Sequence, residues 1–250
     1  MDAPRSAYEA RIYQTWADYW ACVPALFATP GTSPRPYGSQ RSAPGIHIWT
    51  IQNRVFIEYD PSRGRQLAHA VEQLPSAITL TADLLARHWP DPEIDAITYG
   101  LIFHLFPGDL PERHLPGGFA LRRLTTSDQE QLRLLEDSSS PEEMSEAFVA
   151  IGHEMACGIF QLRGQGKTPL LVAAASAYER TGFVDPGVLT HPDFRGRGFG
   201  SAAVHAVCEW AIRQNRIMQY RCNRENPASM GLARRLGFTQ FVVQDSIWLK

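Results

Sequence analysis

The stretch THPDFRGRGFGSAAVHAVCEWA, residues 190–211, places Arg195, Gly196, Arg197, Gly198, Phe199 and Gly200 directly ahead of a segment with helical spacing. A helix N-terminus leaves backbone N–H groups without acceptors and carries roughly half a positive charge, and glycine lets a ligand approach those groups closely. These residue types in this order are the chemistry of an anion site, and a pyrophosphate fits it. Two glycines in a first helical turn otherwise cost about 1 kcal/mol each relative to alanine. Several nucleotide-binding loops use the same physics, so spacing must separate them. A Walker loop requires GxxxxGK followed by Ser or Thr, and no lysine stands here. From Gly196 the run is Gly-x-Gly-x-Gly-Ser, which is not GxGxxG. From Gly198, Ala203 leaves only the relaxed GxGxxA form, and no ribose-binding acid follows where a second strand should end.

The elements that must hold this segment are legible on both sides of it. FALRRL reads as a strand, and Ser127-x-x-Glu130 and Ser140-Pro141-x-Glu143 read as capping boxes opening two helices. ACGIFQLRGQGKTPLLVAAASAY reads as strand, Gly-rich turn at 164–167, strand, and FVDPGVLT is a strand feeding the glycine segment. Val204, Val207, Cys208, Ala211 and Ile212 share one helix side, and IMQYRC follows as a strand. Asn226 caps the next helix, Pro227 takes its first position, and Gly237 ends it after Arg234 and Arg235. FTQFVVQDSIWLK supplies closing strands, which gives the order β-α-α-β-β-β-α-β-α-β.

Upstream, Tyr8, Ile12, Trp16, Tyr19 and Val23 predict a helix ending before Pro24, and residues 28–45 carry too many breakers to be anything but loop. IHIWTIQNRVFIEYD predicts a hairpin turning at Gln52-Asn53. Helical spacing around Leu67, Val71 and Leu74 and in TADLLARHW precedes the strand AITYGLIFHLF. The Trp16, Trp20, Trp49 and Trp89 rings suggest a substantial core. PGDLPERHLPGG is the best linker, so the reading is two domains, 1–107 and 119–250, with the boundary near 107–118. The fold class is α/β (α+β): a mixed, mostly antiparallel sheet flanked by helices, preceded by a smaller α/β domain.

Composition narrows the function. With 250 residues, 44% hydrophobic, 20% charged and a formal net charge of −2, no electrostatic footprint argues for nucleic acid or a membrane surface. No apolar run approaches the roughly 20 residues of a membrane helix, and MDAPRSAYEARIYQTW lacks the core of a signal peptide, so a cytoplasmic location is expected. The four cysteines are widely spread and the eight histidines share no ligand spacing, so no metal and no disulfide framework is expected.

Strand, HPDFRGRGFG, helix is an arrangement that resembles the GNAT superfamily of N-acetyltransferases, through Arg195-x-x-Gly198-x-Gly200 and, later, NPASMGLARRLGF. The resemblance covers about residues 119 to 250. It implies acetyl-CoA or another acyl-CoA as cosubstrate, with its pyrophosphate on Arg195 and the amides of Gly196, Arg197, Gly198, Phe199, Gly200 and Ser201. It further implies that Val188, Leu189 and Thr190 offer backbone groups to the pantetheine arm and that Asn226 reaches the cofactor. The family's usual tyrosine acid falls on Ala233 and its usual glutamate base on Arg221. Substitutes for proton transfer are Ser229, Tyr220 and Glu179, with Tyr178, Asp185 and Cys222 nearby in sequence. The implied activity is acyl transfer to a primary amine of a small molecule or peptide. The rival reading is a CoA-binding module without turnover. The first domain is read as a degenerate second copy of the fold, an acceptor-lining element or a homodimer contact.

Overall fold

The computed structural model describes residues 3–37, 45–74, 80–89, 94–164 and 166–250. In chain order the elements are α1 (Ala3–Trp20), β1 (Gly31–Pro36), β2 (Gly45–Ile51), β3 (Arg54–Tyr59), α2 (Gly64–Glu72), α3 (Ala82–Arg87) and β4 (Ile94–His104). There follow β5 (Phe119–Arg123), α4 (Gln129–Asp137), α5 (Pro141–Ala147), β6 (Met155–Gln161), β7 (Leu170–Arg180) and β8 (Phe183–Thr190). The chain ends with α6 (Phe199–Arg213), β9 (Gln219–Asn223), α7 (Pro227–Arg235) and β10 (Thr239–Leu249). From β5 onward this is the order β-α-α-β-β-β-α-β-α-β, with one long closing strand where the sequence suggests more than one.

The chain forms two compact units that interleave, rather than dividing at a single point near 107–118: one holds 1–15, 104–220 and 232–239, the other 16–103, 221–231 and 240–250. The breaker-rich segment is also more than a tether. Within the first unit, His205 Nε2–H donates to Pro111 O at 2.6 Å, and Arg113 pairs with Glu209 at 2.9 Å, which fastens it along α6. Gly237 ends α7 with φ +82, and an added Cβ there would lie 2.2 Å from Asp109 O. Only glycine satisfies both conditions.

The first unit is built on the antiparallel sheet β5-β6-β7-β8. Alternation divides its side chains between two covers. Leu132 and Leu135 of α4 and Ala147 of α5 pack with Phe160, Leu171, Ala174 and Leu189. On the α6 side, Cys157 Sγ reaches Ala203 O at 3.3 Å. The buried face of α6 is nearly all small, with Ala202, Ala203, Val204, Ala206, Val207, Cys208 and Ala211, so the helix can lie close against the alanines of β7.

Short polar devices set the helix starts. Ser140 and Glu143 make the expected capping box of α5. The box ahead of α4 is Thr125 with Asp128, not Ser127 with Glu130. Asp128 wins because it is buried and Arg122 grips both its oxygens at 2.6 and 2.8 Å. Glu130, exposed, pairs with Arg133 instead. Through the hydrogen bonds from Arg122 above all, the Asp128 carboxyl is held well below the usual carboxylate range.

The second unit carries the six-stranded sheet β1-β3-β2-β10-β4-β9. The last strand, β10, pairs antiparallel with β2, so segments from opposite ends of the sequence share one sheet. The β2–β3 hairpin turns at Gln52-Asn53 as expected. Residues 31–36, expected as loop, are an edge strand parallel to β3, a position that tolerates proline. Side-chain anchors hold it there. Arg35 donates to Glu58 and to Tyr19 O, each at 2.6 Å, and Arg54 donates to Ser33 Oγ at 2.7 Å. Residues 38–44 of that expected loop, and residue 165 of the expected Gly-rich turn, lie outside the described residues. Ile46, Ile48, Ile57, Leu67, Leu85 and Trp89 fill one side of this sheet. The rings of Trp16, Trp20, Trp49 and Phe56 fill another cluster, Trp20 stacking on Phe56 at 4.3 Å.

Asp128→Asn keeps the shape and removes the charge that Arg122 grips. We expect a loss of about 1–3 kcal/mol of stability at pH 7 by urea denaturation. Because the folded pKa is depressed, this contribution is present above the unfolded value near 3.9 and fades as pH falls towards the depressed folded value. The difference between variant and parent should therefore shrink on acidification below about pH 4.

Candidate active site

Strand β8 runs into a turn at Pro192–Phe194, then Arg195-Gly196-Arg197-Gly198, then α6. Gly196 and Gly198 have φ +72 and +83, the left-handed region where a side chain is strained. An added Cβ at either would meet nothing within 4 Å, so the backbone here is bare as well as bent. Gly198 is the N-cap of α6 and has no side chain to cap with. The first helical bond runs from Ala202 N–H to Gly198 O, which puts the amides of Phe199, Gly200 and Ser201 ahead of the ladder, at the positive end of the helix dipole.

Gly200 is explained differently. A Cβ there would lie 2.7 Å from Thr190 Oγ1 and 3.4 Å from Val188 Cγ2. Its smallness lets α6 start hard against the end of β8, and that brings the helix amides beside the strand edge.

The two arginines of the loop divide their roles. Arg195, expected to bind the anion, donates from Nε to Thr190 O at 3.1 Å and pairs with Glu143 at 2.8 Å. These contacts tie the loop to α5. Arg197 lies over the rings of Phe119, Phe194 and Phe199 at 5.2 to 5.8 Å. No ion pair of Arg197 is found among the described residues, so an exposed guanidinium stands beside the bare amides.

β8 is the edge of its sheet. Near its start it meets the following chain through the bridge Val184↔Met218, with Val184 N–H donating to Ile217 O. On the other side, His191 N–H donates to Val172 O, towards β7. Backbone groups alternate sides along a strand, so Val188 and Thr190 aim their amides and carbonyls away from β7, along the open edge. Leu189 does not. Its backbone groups face Ala174 of β7 and its side chain is in the core, which removes it from the expected set of ligand contacts.

The residues expected to move protons are dispersed. Tyr220 is only 3% exposed and packs on Phe238, which assigns it to the core. Glu179 is ion-paired with Arg216 and stands opposite Val184 in the ladder. That is six residues, roughly 20 Å of strand, from Thr190. In the second unit, Asn226 Oδ1 accepts Ser229 N–H at 3.0 Å, so Asn226 caps α7 as expected. Asp185 is buried and accepts from Gln219 Nε2 at 3.1 Å.

Sequence reasoning missed a polar and aromatic cluster between α5 and β7. His153 Nδ1 lies 2.8 Å from Ser176 Oγ, which also accepts Ala150 N–H at 3.1 Å. The rings of Phe148, His153 and Tyr178 are mutually within 5.3 Å. Burial pushes the His153 imidazole below its ordinary pKa. The alternation of Ser176 and Tyr178 along β7 was the available signal; nothing local tied either to residues 148 and 153.

With this geometry in view, residues 122–238 match the family model described as the Acetyltransferase (GNAT) family. Among solved structures, a GCN5-related N-acetyltransferase from Sphaerobacter thermophilus aligns at 14% identity and TM-score 0.54, covering 81% of this chain and 76% of the other. A GNAT-family acetyltransferase from Colwellia psychrerythraea aligns at 15% identity and TM-score 0.50, covering 78% and 76%. These likenesses are of fold. A search of curated proteins finds none that matches the sequence.

If Gly200 is small to seat α6 on β8, Gly200→Ala destabilises the protein by about 1–3 kcal/mol through overpacking. Thr190→Ala in the same chain should recover at least half of that loss, measured as a double-mutant cycle by thermal unfolding. Independent, additive losses would contradict the contact.

Proposed function

We propose, from the match of residues 122–238 to the Acetyltransferase (GNAT) family model, that the protein transfers an acetyl or other short acyl group from acyl-CoA to a primary amine of a small molecule or peptide. The observation that carries this reading is the conjunction of bare, positively poled amides at 196–201 with the open β8 edge at Val188 and Thr190.

Each part has a task. The amides from Gly196 to Ser201 would hold the pyrophosphate, and Arg197 would add a positive charge beside it without having to break an ion pair. The outward backbone groups of Val188 and the outward amide of Thr190 would pair with the amides of the pantetheine arm as an added strand would. An edge amide near the thioester would donate to the carbonyl oxygen as negative charge grows on it during attack by the amine. The amine must be neutral to attack, so it gives one proton to solvent or a base, and after attack a second proton goes from nitrogen to the departing thiolate. No metal-ligating cluster occurs among the described residues.

The rival, a CoA-binding module without turnover, draws on Ala233, Arg221 and the dispersal of Tyr220 and Glu179. It shares the first half of the test. Calorimetry should register acetyl-CoA binding that weakens with added salt. Pantetheine, lacking the pyrophosphate, should bind at least about tenfold more weakly, and Gly198→Val should cost at least about tenfold in acetyl-CoA affinity. Release of free CoA with any primary amine supports transfer. Binding without release across amines favours the module, and no binding at all removes both readings.

A further inference from the structure

We infer that the cleft bounded by α1, the β7–β8 turn and the end of α6 binds a small oxyanion, a phosphate or a carboxylate, at a site separate from the glycine loop. Its walls include Arg11 and Thr15 of α1, Gly182 of the turn, and Asn215, Arg216 and Ile217 after α6, all within the first unit. β8 begins just after Gly182, and α6 ends just before this cleft. The 15 residues of α6, roughly 22 Å of helix, therefore lie between the cleft and the amides at 196–201. The inference does not depend on what the glycine loop holds.

The end of α6 uses up the acceptors of this region and leaves donors over. Asn215 has φ +54, a left-handed conformation that suits asparagine, and it closes the helix. The carbonyls of Trp210, Ala211 and Ile212 accept the N–H groups of Gln214, Arg216 and Asn215. Arg11 then donates from Nη1 to Asn215 Oδ1 and from Nη2 to Asn215 O, each at 2.9 Å. Thr15 Oγ1–H donates to Arg11 O at 3.0 Å. With its side-chain oxygen turned to Arg11, Asn215 presents its Nδ2 hydrogens, and no acceptor for them is found among the described residues.

Charge points the same way. A guanidinium carries five N–H donors, of which Arg11 uses two on neutral oxygens of Asn215, and no ion pair of Arg11 is found among the described residues. Arg216 differs, since Nη1 holds Glu154 and Nη2 holds Glu179. Those two carboxylates are engaged by Arg216, and no carboxylate is among the residues lining the cleft. An oxyanion supplies the lone pairs that the remaining hydrogens of Arg11 and the Nδ2 hydrogens of Asn215 require.

Size and rigidity set the class of anion. The cleft holds about 260 Å³, below the roughly 300–1,000 Å³ of pockets that bury drug-sized molecules, which suits an ion of a few heavy atoms rather than a nucleotide. Its walls are fixed by packing. Gly182 has φ +81, and a Cβ there would lie 2.9 Å from Thr15 Cγ2, so α1 is seated directly on the β7–β8 turn. The two contacts with Asn215 hold the Arg11 guanidinium in place, and its Cζ lies 5.4 Å from the Tyr8 ring centroid. A fork already held in one orientation loses little freedom when an anion arrives.

The test titrates the full chain with sodium phosphate and, separately, with sodium succinate, read by residue-resolved amide NMR, with sodium chloride at matched ionic strength as the control. We expect saturable shifts on the amides of Gly182, Asn215 and Ile217 that chloride does not produce, and the anion that saturates them at lower concentration identifies phosphate or carboxylate as the source. Any response at 196–201 reports the glycine loop separately. Asn215→Asp keeps an oxygen for Arg11 and replaces the carboxamide hydrogens with negative charge, so it should weaken the anion at least about tenfold, with a cooperative thermal transition showing that the variant is folded. Arg11→Gln, which removes the charge and keeps a donor for Asn215, should weaken it by a similar factor. No saturable shift with either anion, the same shifts with chloride, or unchanged affinity in both variants overturns the inference.

Discussion

One constraint organises the first unit: α6 must begin close against the end of β8 with its leading amides ahead of the helical hydrogen-bond ladder. Gly200 makes the approach sterically possible at Thr190 and Val188. Gly196 and Gly198 supply the left-handed turns that lead into the helix without covering it. The clamp of Arg195 on Glu143 and Thr190 O then fixes the loop. Leaving helix amides and a strand edge unpaired costs free energy, and the two costs occur side by side. That adjacency is the physical argument for a ligand that carries both an anionic group and a chain of amides.

The rest of the unit serves this junction. Small residues on α6 and the alanines of β7 bring helix and sheet close, and the capping boxes of α4 and α5 set the helices on the other face. Placing α5 through Gly187 does two things at once. It positions Glu143 to receive Arg195, and it sets the end of α5, with Phe148, against β8 at Gly187. A single close helix–strand contact thus couples the glycine loop to the aromatic cluster.

What could be read from sequence was what local chemistry determines. Ser140-Pro141-x-Glu143, Asn226-Pro227 and Gly237 announce helix ends because caps are satisfied within a few residues. The Gln52-Asn53 turn is local in the same way, and the element order after residue 118 follows from such signals. Misreadings arose where a distant partner decided. Thr125 and Asp128 displaced the Ser127–Glu130 box because Arg122 grips Asp128, and residues 31–36 became a strand because Glu58 and Tyr19 hold Arg35. The contact of Arg195 with Glu143, 52 positions away, could not be read from the loop's own spacing. Glu179 and Tyr220 have suitable chemistry by residue type, but ladder register and burial assign them to a surface ion pair and to the core. The bare amides were legible because glycine composition itself records them. The aromatic cluster was not, since residues 148, 153 and 178 meet only through the docking of α5 on β8.

The most direct test of the central claim is residue-resolved amide NMR during titration with CoA. The account predicts that the largest shifts fall on the amides of Gly196 to Ser201, with Val188 and Thr190 moving and Leu189 little changed. CoA that binds while leaving those amides unmoved, with its shifts clustered elsewhere on the chain, would contradict it.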